Sequence, residues 1–136
     1  MVKAVNIGKE IVVTEKNKIG ILADIARLVS DHGINIEAVA GYSGADGVAK
    51  IMIVTNDNLR AKEAIQKKGY KDVKESEIVI IELENKIGAL KNITAKLVAE
   101  NIDIRYMYAT TCPAGCPAKL IFSTTANEKA VVSLKK

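Results

Sequence analysis

Two cysteines, Cys112 and Cys116, sit four positions apart in the stretch TCPAGCP of a chain that has a single histidine, His32. A thiol pair can do redox chemistry or hold a soft metal. The C-x-x-x-C spacing, however, is one residue wider than a redox pair or zinc knuckle, and two thiolates do not close a tetrahedral zinc site. Two chains together could supply four. The favoured reading is an ordinary hairpin loop, with a metal or redox role for Cys112 and Cys116 as the alternative and no cofactor expected. His32 lies at a helix end beside Gly33, a place for capping or solvent contact. No serine or cysteine has an evident histidine partner, and no recognisable spacing sets a pair of carboxylates, so no catalytic residue is assigned and the chain does not read as an enzyme.

The elements that must position any site are written twice. NKIGILADIA (residues 17–26) returns as NKIGALKNIT (residues 85–94), an offset of 68 that pairs Gly20 with Gly88 and Leu22 with Leu90. Ile34, Asn35 and Ile36 fall on Ile102, Asp103 and Ile104, and after a one-residue shift Asn58 falls on Asn127. A repeat of this length is long for a solenoid unit and long enough for a small packed domain. The 136 residues are therefore expected to form two domains, residues 1–76 and 77–136, each marginal alone and expected to pack with its sister or with a second chain.

Each copy reads as strand, helix, strand, strand, helix, strand. In the first, residues 10–15 are a β-branched strand and residues 20–32 a helix with Leu22, Ile25, Ala26 and Val29 inward, stopped by Gly33. Residues 34–40 alternate, with Ile34, Ile36, Ala38 and Ala40 on one face. The loop at residues 41–47 turns back into a strand at 50–55, Asn58 caps a second helix ending at Gly69, and residues 72–76 form a weak edge strand. In the second copy Tyr106 and Tyr108 share the core-facing parity of Ile102 and Ile104. This copy lacks a final strand, and residues 2–7, which sit at the register of residues 70–75, are expected to supply it to this domain or to a partner's sheet. The pattern predicts an α+β class with two tandem ferredoxin-like βαββαβ domains, each a four-stranded antiparallel sheet with its helices on one face.

Composition narrows the function classes. The net charge of +4 arises from lysines scattered among acidic residues, a solvated surface and not a nucleic-acid stripe. The central strands carry Ile51, Met52 and Ile53, or Ile80 and Ile81, where a base-stacking module would need aromatics. No apolar run approaches the ~20 residues of a membrane span and no signal-peptide core is present, so no membrane partner and a cytoplasmic location are expected.

The repeated N-K-I-G-x-L, followed by GINI at residues 33–36 or NIDI at residues 101–104, resembles the ACT domain family of small-molecule-sensing regulatory modules. The resemblance implies a non-catalytic, allosteric module, a homodimer in the family's manner, that binds an amino acid near the glycine turns and signals to a regulated protein. The implied ligand-binding residues are Asn17, Ile19, Gly20, Ile21, Leu22 and Asn35 in the first copy. In the second they are Asn85, Ile87, Gly88, Ala89, Leu90 and Asp103. The chemistry is intelligible: helix-start N–H groups lack intrahelical partners and sit at the positive end of the dipole, which suits a ligand carboxylate. Glycine lets that backbone come close, and Asp103 could pair with an α-ammonium group. A ligand-free dimerisation or scaffold module is the runner-up.

Overall fold

The computed structural model describes residues 2–136. Six strands and four helices alternate: β1 (Val2–Lys16), α1 (Ile21–Asp31), β2 (Ile36–Ser43), β3 (Val48–Thr55), α2 (Asn58–Lys68), β4 (Asp72–Leu83), α3 (Ala89–Ala99), β5 (Ile104–Thr110), β6 (Ala118–Thr124) and α4 (Asn127–Lys135). The fold is α+β and ferredoxin-like. The sheet has six strands in the order β2-β3-β1-β4-β6-β5.

That strand count corrects the expected pair of four-stranded sheets. The segments at 2–7 and 10–15 are one strand, and so are those at 72–76 and 78–83. No turn-forming pair interrupts IGKEI or ESEIV, and an extended chain continues where nothing forces it to bend. β6 pairs only with Val79–Leu83 of β4, so residues 72–76, the other half of that strand, have no β6 neighbour and keep the expected edge position.

The chain divides into two compact units, Lys9–Ser76 and residues 2–8 with Glu77–Lys136. In the first unit, Ile11 and Val13 of β1, Ile51 and Ile53 of β3 and Val73 of β4 pack against Ile21, Ile25, Leu28 and Val29 of α1 and Ala61 and Ile65 of α2. The inward stripe of α1 thus includes Ile21 and Leu28, while Leu22 points outward and is 46% exposed. In the second unit, Val5, Val79, Ile81, Leu83, Leu120 and Phe122 pack against Ile93 and Leu97 of α3 and Ala130, Val131 and Leu134 of α4. Val5, from residues 2–8, is 5% exposed within that core.

Both edge strands carry a bulge, between Ile36 and Ala38 in β2 and between Ile104 and Tyr106 in β5. One extra residue reverses the side-chain parity beyond it. Met107 therefore lies opposite core Phe122 and packs on the core, whereas Tyr106 and Tyr108 lie opposite Ser123 and Ile121 on the other parity. Ala38 and Ala40 likewise oppose Val54 and Met52, and Val39 opposes core Ile53. The expected core-facing set of these strands holds only up to the bulge, through Ile36 and Ile104.

Each unit closes its second helix with the same clasp. Asn58 Oδ1 accepts from the backbone N–H and hydroxyl of Thr55 at 3.0 and 2.7 Å, and its Nδ2 donates to the Lys9 carbonyl at 3.0 Å. Asn127 repeats this with Thr124 at 2.9 and 2.8 Å and with the Glu77 carbonyl at 3.2 Å. Asn58 is therefore not the α2 cap. Asp57 is, accepting from the Arg60 N–H at 3.2 Å. No helix among the described residues is long and apolar enough to cross a membrane.

Candidate functional site

A glycine in the left-handed region opens the first helix of each unit, Gly20 at φ 95° before α1 and Gly88 at φ 85° before α3. That conformation is costly for any residue with a Cβ and natural for glycine. It swings the chain from strand to helix within a residue or two. Neither helix has a side-chain cap among the described residues. The Ala89 N–H of α3 donates to the Lys86 carbonyl at 3.2 Å, and the next N–H groups of that turn have no side-chain acceptor.

The turn also throws apolar side chains outward. Ile19 and Ile87, one residue before each glycine, are fully exposed, and Leu22 and Leu90 are about half exposed at 46% and 51%. Ile21 is instead 4% exposed inside its core, and Ala89 in the same place of the second copy is half-buried. A small side chain there leaves room. A cavity of about 470 Å³ lies at the Gly88 turn, lined by Leu83, Asn85, Lys86, Ala89 and Leu90 on one side and by Ala109, Thr110, Thr111, Ala118 and Leu120 of the β5–β6 hairpin on the other.

Polar groups ring that cavity. The Asn85 side chain donates to the Cys112 carbonyl at 3.5 Å, tying the hairpin loop to the turn. In the first unit the tie is made by backbone, from Asn17 N–H to the Gly47 carbonyl at 2.8 Å. Lys86 pairs with Glu84 at 3.2 Å, and this ammonium holds the Glu84 carboxyl below its ordinary range. Cys112 and Cys116 are joined as a disulfide with their Cα atoms 5.4 Å apart. In that form neither sulfur is a thiolate that could bind a metal, and no cluster of three or more metal-ligating side chains occurs among the described residues.

Asn35 and Asp103 sit away from the turns, at the far ends of α1 and α3. An 11-residue helix spans about 16 Å. There the Asn35 N–H donates to Asn56 Oδ1 at 3.0 Å, and the Asp103 N–H donates to Thr125 Oγ1 at 3.2 Å. Within the second unit the structure thus gathers Asn85, Ala89 and Leu90 at one cavity beside Gly88 and exposed Ile87, and does not bring Asp103 to it.

Residues 11–69 match the model of the AHAS small subunit-like ACT domain. That segment, within the first unit, is similar to an ACT domain. Among solved structures it resembles a protein from Bacteroides thetaiotaomicron, with a TM-score of 0.87 at 23% identity over 96% of this chain and 88% of that one. It also resembles the ligand-free regulatory subunit of aspartate kinase from Thermus thermophilus, with a TM-score of 0.66 at 12% identity over 98% and 96% of the two chains. A structure of aspartokinase alpha and beta subunits aligns at a TM-score of 0.69 and 15% identity, over 98% of this chain and 96% of that one. At these identities the likeness is one of fold. No curated protein matches this chain by sequence.

The matched ACT segment holds Asn17, Ile19, Gly20, Ile21, Leu22 and Asn35, while the cavity described above lies at the repeated motif outside that segment. Sequence reasoning missed Leu83, Lys86, Thr110, Thr111 and Leu120 in its lining. Leu83 was legible as the last apolar residue of a strand, and Lys86 as the residue between Asn85 and Ile87. Thr110 and Thr111 gave no signal, because hairpin residues reach the turn only through strand pairing far along the chain.

Proposed function

We propose that this chain is a non-catalytic regulatory protein whose two units are both ACT-like domains, and that it binds an amino acid or a similar small molecule at the Gly88 turn. The observation that carries the reading is the cavity of about 470 Å³ beside an uncapped helix start. The ligand carboxylate lies on the first-turn N–H groups of α3, the Thr110 and Thr111 hydroxyls and the Asn85 amide orient its polar head, and its apolar part lies against Leu83, Ala89, Leu90 and Leu120. The Gly20 turn, with Ile21 occupying its core, is the weaker of the two sites. Asn35 and Asp103 contact ligand only when presented by a neighbouring copy.

The exposed Ile19, Leu22, Ile87 and Leu90 support self-association through the glycine turns, and a homodimer is the assembly proposed. Ligand at such an interface favours one packing of the subunits over another, and a separate regulated protein reads the difference. If no ligand binds, the same apolar turns support the scaffold reading. The disulfide supports a third, in which the oxidation state of Cys112 and Cys116 sets the mobility of the loop beside the cavity.

A thermal-shift screen of the purified protein against the twenty amino acids tests the proposal. A ligand at 100 times its dissociation constant adds about 2.7 kcal/mol. A selective rise that disappears in Ala89→Ile, which installs the first copy's residue and fills the cavity, is the expected result. No rise with any amino acid would leave the scaffold reading in possession.

A further inference from the structure

The second unit has a larger depression, about 710 Å³, that the amino-acid reading does not use. Its lining is Val2, Lys3, Ala4, Val5, Asn6, Lys86, Lys96, Leu134, Lys135 and Lys136, with no carboxylate side chain among them. Val5 and Leu134 are its apolar floor, and five lysines surround it. Lys86 pairs with Glu84 just outside the lining, and Lys96 Nζ donates to the Lys136 main-chain oxygen at 3.1 Å. Glu84 and the Lys136 main-chain oxygen thus serve two of the ammonium groups, and no carboxylate in the lining faces the other three. A concave surface lined by cations of one sign raises the local positive potential and attracts anions.

The first unit shows what the same part of the fold looks like when balanced. There Glu15, Lys18, Asp24, Lys68, Gly69 and Tyr70 line a space of only about 130 Å³. The Tyr70 hydroxyl donates to Asp24 at 2.6 Å and Arg27 pairs with the same carboxylate. The repeat places Leu83 where the first copy has Glu15, Asn92 where it has Asp24, and Val2 where it has Tyr70. It places Lys96 at the position of Leu28 and Lys135 at that of Gln66. The second copy has thus exchanged both carboxylates and the filling ring for neutral side chains, and has Lys96 and Lys135 as new cations while Ala95 replaces Arg27.

We infer that this depression is a second ligand site, for a small phosphorylated metabolite carrying two or more anionic charges. Lysines bind phosphoryl oxygens as point charges without needing a planar fork, and a pocket of this volume accommodates a molecule of nucleotide size. The apolar floor takes the organic part, and the lysine rim takes the charged one.

Titration calorimetry with inorganic pyrophosphate and with ATP, each at low and at physiological chloride, tests this. The expected result is saturable binding of one anion per chain, weakened by chloride and weakened at least tenfold in Lys96→Leu and in Lys135→Gln. Both variants install the residue that the sister copy tolerates at that position, so loss of the fold is not the expected cause. Lys62→Gln, far from the lining in sequence and outside it, should bind as the parent does. Absence of saturation, or unchanged affinity in both lysine variants, would overturn the inference. So would binding of a single-stranded oligonucleotide without binding of either small anion, which would make the lysines a polyelectrolyte surface.

Discussion

Tyr70 and Asp24 meet across 46 positions of sequence, with the tyrosine hydroxyl donating to the carboxylate at 2.6 Å and joining the end of α2 to the first turn of α1. The bond, with help from Arg27, holds the Asp24 carboxyl below its ordinary range, and burial followed by the same bond pushes the Tyr70 hydroxyl up to about 12. The depressed carboxylate contributes stability above its unfolded pKa that is lost as pH falls through the folded value. The raised phenol contributes stability below its unfolded pKa, about 10, that is lost as pH rises toward about 12. Tyr70→Phe should cost about 1 kcal/mol at neutral pH. Urea midpoints measured across pH should show that deficit closing below about pH 4 and again above about pH 10. A constant deficit at every pH would mean that packing, and not the hydrogen bond, is what the substitution removes.

The Asn58 and Asn127 clasps each satisfy a backbone N–H, a hydroxyl and a carbonyl with one amide. Removing either side chain strands partners in part-buried positions, at about 1–3 kcal/mol. Asn58→Ala and Asn127→Ala should destabilise to a similar extent in denaturant titrations. Asn58→Asp should lose less, because the acceptor survives and only the donor to Lys9 is gone, whereas Asn127→Asp sets a second carboxylate beside Glu77 Oε1 and should lose more. Neutral alanine variants would show that water replaces the clasp at no cost.

For Gly20 and Gly88, a Cβ would meet nothing within 4 Å, so the only penalty for alanine is the left-handed backbone. Gly20→Ala and Gly88→Ala should each cost about 1–2 kcal/mol. Asparagine, which tolerates this conformation better, should cost less at the same positions. Calorimetric melting of the four variants distinguishes this from a steric effect, in which the larger asparagine would be the worse choice.

Gly8 is constrained by its neighbour and not by its dihedral angle. A Cβ there would lie 2.6 Å from Ile80 Cδ1, the far end of a side chain that can move. Gly8→Ala should destabilise by about 1–3 kcal/mol, as overpacking does. Adding Ile80→Val, which deletes that methyl group, should recover part of the loss, so that the double variant is more stable than the sum of the singles implies. Additive effects would place the strain elsewhere.

How much of this could be read beforehand depended on whether the signal was local. The repeat, the two glycine turns, the stop at Gly33 and the helix starting at Asn58 were legible because glycine conformation and helical periodicity act within a few residues. The bulges in β2 and β5 were not. Nothing in IDIRYMYA marks the extra residue, yet it sends Tyr106 and Tyr108 to one parity and Met107 to the core. The two long strands were hidden for a similar reason, since Gly8 allows a turn between residues 7 and 10 without requiring one, and pairing alongside decides. The Gly88 cavity was half legible: Ala89 could be named as a site residue, but its consequence depends on Ile21 being buried in the sister copy.

β1 and β4 each begin in one unit and end in the other. During synthesis, then, the unit Lys9–Ser76 emerges whole and in sequence and can close as soon as β4 leaves the ribosome. The other unit cannot. Its first strand is made before its sister, waits through the whole of it, and meets its sheet neighbour only when the second half of β4 follows. The same covalent order means that no single cut of the gene yields two self-sufficient fragments, so one half could be lost or replaced only together with the opening residues of the other.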